Sequence, residues 1–123
     1  FMIIMAPASK YYATPPKVKV ETEYIRAAEG GVGYAKCAGN YAASLYPAKL
    51  AAEQGYTQLL WTDSKEHKYF EESGTMNVMF VIDGKLVTPK TSTTILKGIT
   101  RDSLLQIARS KGIEVEERCV SVE

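Results

Sequence analysis

The chain has 123 residues, a formal net charge of +1 and 46% hydrophobic residues. That suffices for one domain with a core, not two, and the balanced charge with no long basic run argues against nucleic acid as a partner. No apolar stretch approaches the roughly 20 residues needed to cross a bilayer.

The opening FMIIM, residues 1–5, reads as a short buried strand, and so abrupt an apolar start suggests a chain that begins inside a core. Pro15 and Pro16 then force an extended entry. Val18 and Val20 alternate with Lys17 and Lys19, the pattern of a half-buried strand. A glycine-rich loop, GGVGYAKCAGN, fills 30–40. A helix is expected over about 41–54, capped by Asn40 and stopped by Gly55. Pro47 falls inside it and predicts a kink or a late start.

QLLWT and its neighbours (57–63) read as a strand, and KYFEESGT carries another short strand into a turn. NVMFVIDGKLVTP is the clearest hairpin, with Asp83-Gly84 suited to a tight primed turn. After the polar loop TSTTILKGIT, a helix is expected over about 100–111, ending at Gly112, with Leu104, Leu105 and Ala108 on its inner face. IEVEERCVSV closes as a strand. Strands and helices are mixed without strict alternation, which predicts an α/β domain of the mixed α+β kind rather than a doubly wound one.

Several residues carry potential chemistry. Lys36 sits in the glycine-rich loop ahead of a helix. It is either a solvated surface amine or a Schiff-base lysine, which needs a neutral amine and tight backbone around it. The adjacent Glu71 and Glu72 are either a solvated edge or contain a buried member able to pair with a protonated pyridine nitrogen. Gly98 before a helix start offers free N–H groups to an anion such as phosphate, or is simply a helix entry. Tyr41 suits core or ligand. His67, the single histidine, lies in the polar run DSKEHKY and reads as a solvated loop residue, and Trp61 as a core or interface aromatic. Cys37 and Cys119 have no metal-ligand spacing; they fit reduced thiols of a cytosolic protein, with a disulfide as the alternative. AAEGGVG lacks the GxGxxG dinucleotide pattern. No metal or serine-histidine constellation is visible.

Taken in order, GGVGYAKCAGNYAASL, QLLWTD, EESGTMNVMFVIDG, TPKTSTTILKGITRDSLLQIA and GIEVEER resemble the branched-chain amino acid aminotransferases, from about residue 11 to 117. The KxxGNY and ExGTMN motifs favour that family over its fold-type IV relatives, the D-amino acid aminotransferases and aminodeoxychorismate lyases. The resemblance implies pyridoxal 5'-phosphate as cofactor and an incomplete pseudo-barrel of mixed strands with flanking helices. Lys36 then matches the lysine that holds the cofactor as a Schiff base and moves the substrate proton. Tyr41 matches the tyrosine bonded to the cofactor's phenolic oxygen, and Glu72 the partner of its ring nitrogen. Ile99 and Thr100 match the amides that hold the phosphate, and Thr75 and Met76 a turn lining the substrate site.

The implied reaction moves the amino group of leucine, isoleucine or valine to 2-oxoglutarate in a cytoplasmic homodimer. The resemblance also implies that residues 1–123 are part of a large cofactor domain. A small N-terminal domain, a phosphate-binding arginine upstream and a threonine turn downstream would lie outside this segment. A non-catalytic descendant kept for binding or assembly is the alternative from another class, and retention of Lys36 and Glu72 argues against it.

Overall fold

The computed structural model describes residues 1–9 and 12–123; residue 11, where the resemblance begins, lies outside them. The first sheet joins β1 (Val18–Glu21), β2 (Gln58–Thr62) and β3 (Phe70–Ser73) in that spatial order. β1 runs parallel to β2, and β3 antiparallel to it. The crossover from β1 to β2 holds the glycine-rich loop and two short helices, α1 (Ala38–Ala42) and α2 (Leu45–Glu53). The second sheet joins β4 (Phe80–Ile82), β5 (Lys85–Thr88) and β6 (Val115–Glu117). Here β4 and β5 form the antiparallel hairpin, and β6 returns parallel to β5 after helix α3 (Ile99–Ser110). The architecture is the mixed α/β arrangement expected.

The turns form where the sequence places them. Asp83 and Gly84 both have positive φ, 51° and 78°, as a type I′ turn requires. Gly55 and Gly112 end their helices in the left-handed region. Around β2, Ala51, Leu59 and Trp61 form one buried cluster with Tyr24 against it. Leu105 and Ala108 of α3 are buried as expected, whereas Leu104 is 46% exposed. The inward face of α3 is instead extended by Arg101, which donates to the Pro89 carbonyl at 2.9 Å and pairs with Glu117.

Other expectations need correction. Residues 1–5 form no strand and their side chains are exposed: an apolar run becomes a strand only beside a strand that takes its backbone hydrogen bonds, and none of the described residues does so. In β1 the faces are inverted. Val18 and Val20 are exposed, and Glu21 is buried because its carboxylate accepts the N–H groups of Glu23 and Tyr24. Alternation reveals two faces but not which one is covered.

The single helix expected after the glycine-rich loop is two helices. α1 ends at Ala42, and α2 starts at Leu45 with Pro47 in its first turn, where a missing N–H costs nothing. Asn40 is no cap; it lies within α1, and its amide donates to the carbonyls of Val32 and Ala35. The last strand ends at Glu117, but the chain runs on to lie beside β3, where the Phe70 N–H donates to Val120 O.

Candidate functional site

The site starts from an irregularity. Between the paired positions Leu60↔Ser73 and Thr62↔Phe70, β2 advances two residues and β3 three. The extra residue falls at Glu71-Glu72, and such a bulge re-aims side chains. Both carboxylates are buried, so neither is a solvated edge. Glu71 accepts a hydrogen bond from the Thr94 hydroxyl at 2.5 Å, and burial pushes its carboxyl up from the ordinary range. Glu72 takes a different environment. Its Oε1 pairs with the Arg26 guanidinium at 2.5 Å, and its Oε2 accepts from the Asn77 amide at 3.1 Å. Burial pushes the Glu72 carboxyl up to about 7, against the opposing pull of Arg26 and of the Leu96 N–H.

Arg26 reaches this position because the turn held by Glu21 folds the chain back after β1. The glycine-rich loop follows and presses on the 93–94 segment. A Cβ at Gly33 would lie 2.7 Å from Thr94 Cα and 2.8 Å from Thr93 O, so only glycine fits. The Tyr34 N–H donates to Thr93 O. Asn40 then closes the loop on itself and sets the start of α1. The result presents Lys36 with its Nζ 5.3 Å from the centre of the Tyr41 ring.

On the opposite wall, Ser73 and Met76 close a tight turn by reciprocal backbone hydrogen bonds. This turn displays Thr75 and Met76, which are exposed. Asn77 leaves it and ties Glu72 to the Leu96 carbonyl. At Gly98 the reason for glycine is proximity: a Cβ would sit 2.1 Å from the Asn77 Oδ1. Gly98 is the extended residue before α3, and no side chain caps that helix. Its first N–H groups therefore point outward without helical partners.

These walls enclose one cavity of about 700 Å³, within the range of roughly 300–1,000 Å³ usual for small-molecule sites. Lys36, Tyr41, Glu72, Thr75, Met76, Ile99 and Thr100, the residues singled out from the sequence, all line it. Arg26, Asn77 and Gly74 line it too, and the sequence reading had missed them. Arg26 carries no distinctive local signal in the sequence. Gly74 leaves room for the Gln58 amide, since a Cβ there would lie 1.9 Å from its Oε1. His67 lies elsewhere, with Nδ1 2.8 Å from the Thr62 hydroxyl. It is partly buried and not the fully solvated residue expected. Both cysteines are free thiols. Among the described residues no cluster suited to a metal ion occurs, and no helix is long and apolar enough to cross a membrane.

The cavity thus joins a lysine, a buried acid and an uncapped helix start. The family model for amino-transferase class IV matches residues 1–123. The chain belongs to the class IV aminotransferases. Among its relatives in this family, a probable branched-chain-amino-acid aminotransferase of Staphylococcus aureus (strain N315) is 51% identical over 126 residues, covering 99% of this chain and 35% of that protein. The branched-chain-amino-acid transaminase 1 of Bacillus subtilis (strain 168) is 50% identical, covering 100% and 36%.

Solved class IV structures superpose as well. The branched-chain amino acid aminotransferase of Escherichia coli matches with a TM-score of 0.75 and 34% identity over 86% of this chain and 36% of that one. The enzyme of Thermobaculum terrenum in its PLP-form matches with a TM-score of 0.77 and 32% identity over 87% and 34%. The chain thus spans about a third of the length of the relatives it matches.

Proposed function

We propose that the chain forms the cofactor-lysine portion of a branched-chain amino acid aminotransferase that uses pyridoxal 5'-phosphate to move the amino group of leucine, isoleucine or valine to 2-oxoglutarate. The observation that carries this reading is the convergence of Lys36, Glu72 and the start of α3 on one cavity. About 50% identity, over about a third of their length, to proteins named as branched-chain-amino-acid aminotransferases supports it.

The residues present fit the cofactor. The N–H groups of Ile99 and Thr100, at an uncapped helix start, would hold the phosphate, reinforced by the helix dipole. The buried Glu72 carboxylate would face the ring nitrogen and accept its N–H. The Tyr41 hydroxyl would bond the phenolic oxygen. Lys36 would hold the aldehyde carbon. When bound, pyridoxal phosphate supplies an electron sink that stabilises negative charge at the substrate Cα.

Each residue then has a task. Lys36, as a neutral amine, would accept the proton from the substrate Cα and hold it for return as the general base. Glu72, paired with Arg26, would accept the N–H of the ring nitrogen and so favour its protonated form. Thr75 and Met76, on the turn after β3, orient the substrate over Lys36. A different reaction on this fold, that of a D-amino acid aminotransferase or aminodeoxychorismate lyase, would use the same three anchors and another side-chain pocket.

The reading divides the site between this segment and sequence outside it. Further phosphate contacts and the rest of the substrate pocket would come from beyond residues 1–123, in a cytoplasmic homodimer. The isolated segment is therefore expected to bind the cofactor weakly and to show no turnover with leucine and 2-oxoglutarate. Each lost charge-assisted phosphate contact weakens binding by about one to two orders of magnitude.

The test is covalent trapping. Pyridoxal phosphate is added at less than one equivalent to the full-length protein, reduced with borohydride, and the modified lysine mapped by mass spectrometry. The adduct is expected at Lys36. Its appearance chiefly at another lysine would overturn the site, and failure of leucine to reverse the absorbance of the unreduced complex would overturn the substrate.

A further inference from the structure

We propose that Arg26 is a positioning residue that clamps the Lys36 loop and the approach to α3 onto the acidic floor of the cavity. The clamp stands on geometry alone, while its consequence for the reaction rests on reading Lys36 as the cofactor lysine. The Arg26 side chain is only 4% exposed, and it reaches three segments distant in sequence. Its Nη1 donates to the Thr94 carbonyl at 2.5 Å and to the Gly33 carbonyl at 3.3 Å. Its Nη2 donates to Gly33 O at 3.3 Å and pairs with Glu72 at 2.5 Å. Gly33 stands three residues before Lys36, and Thr94 four before Gly98.

One planar fork therefore sets the distance between the amine-bearing loop, the irregular 93–94 segment leading to the helix start, and the acid. The close approach at Gly33 brings the loop against the 93–94 segment, and the Gly33 and Thr94 carbonyls both accept from the same Arg26 nitrogen. Without a donor between them they would be buried acceptors facing a buried carboxylate, and the segments would separate to admit water. Lysine is a poor replacement. Its ammonium is a point charge able to serve Glu72, but it lacks the flat, rigid array of N–H groups that reaches two carbonyls and a carboxylate together.

The clamp is tested by amide hydrogen exchange in the full-length protein, comparing Arg26→Met, Arg26→Lys and Glu72→Gln. The amides of Tyr34 and Ala35, hydrogen-bonded within and across the loop, are expected to exchange about tenfold faster or more in Arg26→Met. Glu72→Gln, which leaves both carbonyl bonds in place, is expected to leave these amides near the wild-type rate. Unchanged exchange in Arg26→Met, or equal acceleration in Glu72→Gln, would overturn the clamp. If Arg26→Met does not fold, Arg26→Lys decides: it keeps the charge and is expected to lose most of the protection, so wild-type protection would overturn the need for the fork.

Borohydride trapping runs beside the exchange measurement. A slower reaction of Lys36 with pyridoxal phosphate in both Arg26 variants is expected, and unchanged rates would overturn the positioning role. A wild-type adduct found away from Lys36, with the exchange result intact, would overturn the proposed function and leave the clamp standing.

Discussion

Two carboxylates in different regions of the molecule are stabilised in opposite ways. Asp63, in the turn between β2 and β3, accepts hydrogen bonds from the N–H groups of Lys65, Glu66, Lys68 and Tyr69. Its limited burial works to raise the carboxyl's pKa, but these four donors outweigh it and bring the pKa down to about 2. Glu72, at the cavity floor, is pushed up to about 7 by burial, although Arg26, Asn77 and Leu96 all touch it. Every donor to Asp63 lies within six residues, whereas Glu72 draws on residues 46 before and 24 after it. A carboxylate used to fold a turn is served by its own backbone. One held in a cavity is built from distant parts of the chain, and burial leaves it less stabilised as the anion.

The largest effect is expected where the cavity's chemistry is removed. In the full-length protein, Lys36→Ala should lower transamination by at least about 10³-fold, the scale of a lost general base, and remove the trapped adduct. Retained turnover would place the reactive amine elsewhere. The next effect separates the two adjacent acids. Glu72→Gln should cost about 10²-fold in kcat, and Glu71→Gln much less, because Glu71 is engaged by Thr94 away from the cavity lining. A larger loss from Glu71→Gln would reverse the assignment.

The contrast between the carboxylates is also readable in stability against pH. Glu72 has its folded pKa raised from 4.5 to about 7, so the folded state holds the proton more tightly than the unfolded chain. Its contribution is fully present below about 4.5 and is lost as pH rises towards 7. Asp63 behaves the other way. Its folded pKa is lowered from 3.8 to about 2, so its contribution is present above 3.8 and lost as pH falls through that window. Asp63→Ala should cost about 1–2 kcal/mol at neutral pH, allowing for solvent screening. That cost should fall steeply as pH drops from 3.8 towards 2 in urea titrations; a pH-independent cost would mean that the turn is held by something other than charge.

The smallest effect belongs to the outer face of the second sheet, where Lys85 pairs with Glu114 and Glu116. Lys85→Ala should leave the thermal midpoint unchanged within error, because exposed pairs gain little over hydration. A clear drop would show that this network acts cooperatively.

Much of the scaffold was legible from the residues alone. The Asp83-Gly84 hairpin, the glycine stops at Gly55 and Gly112 and the break around Pro47 follow from backbone sterics, which act within a few residues. The motif order around Lys36, Tyr41, Glu72 and Gly98 also points to a shared site, although it could not show that these residues face one cavity. What misled was side-chain patterning without a known neighbour: residues 1–5 are apolar but unpaired, and Val18 and Val20 face outward.

The sequence by itself determined the local turns, the helix ends and the set of chemical groups available. Only the tertiary structure decided that a bulge buries both Glu71 and Glu72, that Arg26 joins three segments, and that Asn77 needs the bare Gly98 beside it. The physical reason is range. Turn and cap preferences are set by contacts a few residues apart, while the charge state and aim of a cavity residue depend on burial and on partners that only the folded chain brings within hydrogen-bonding distance.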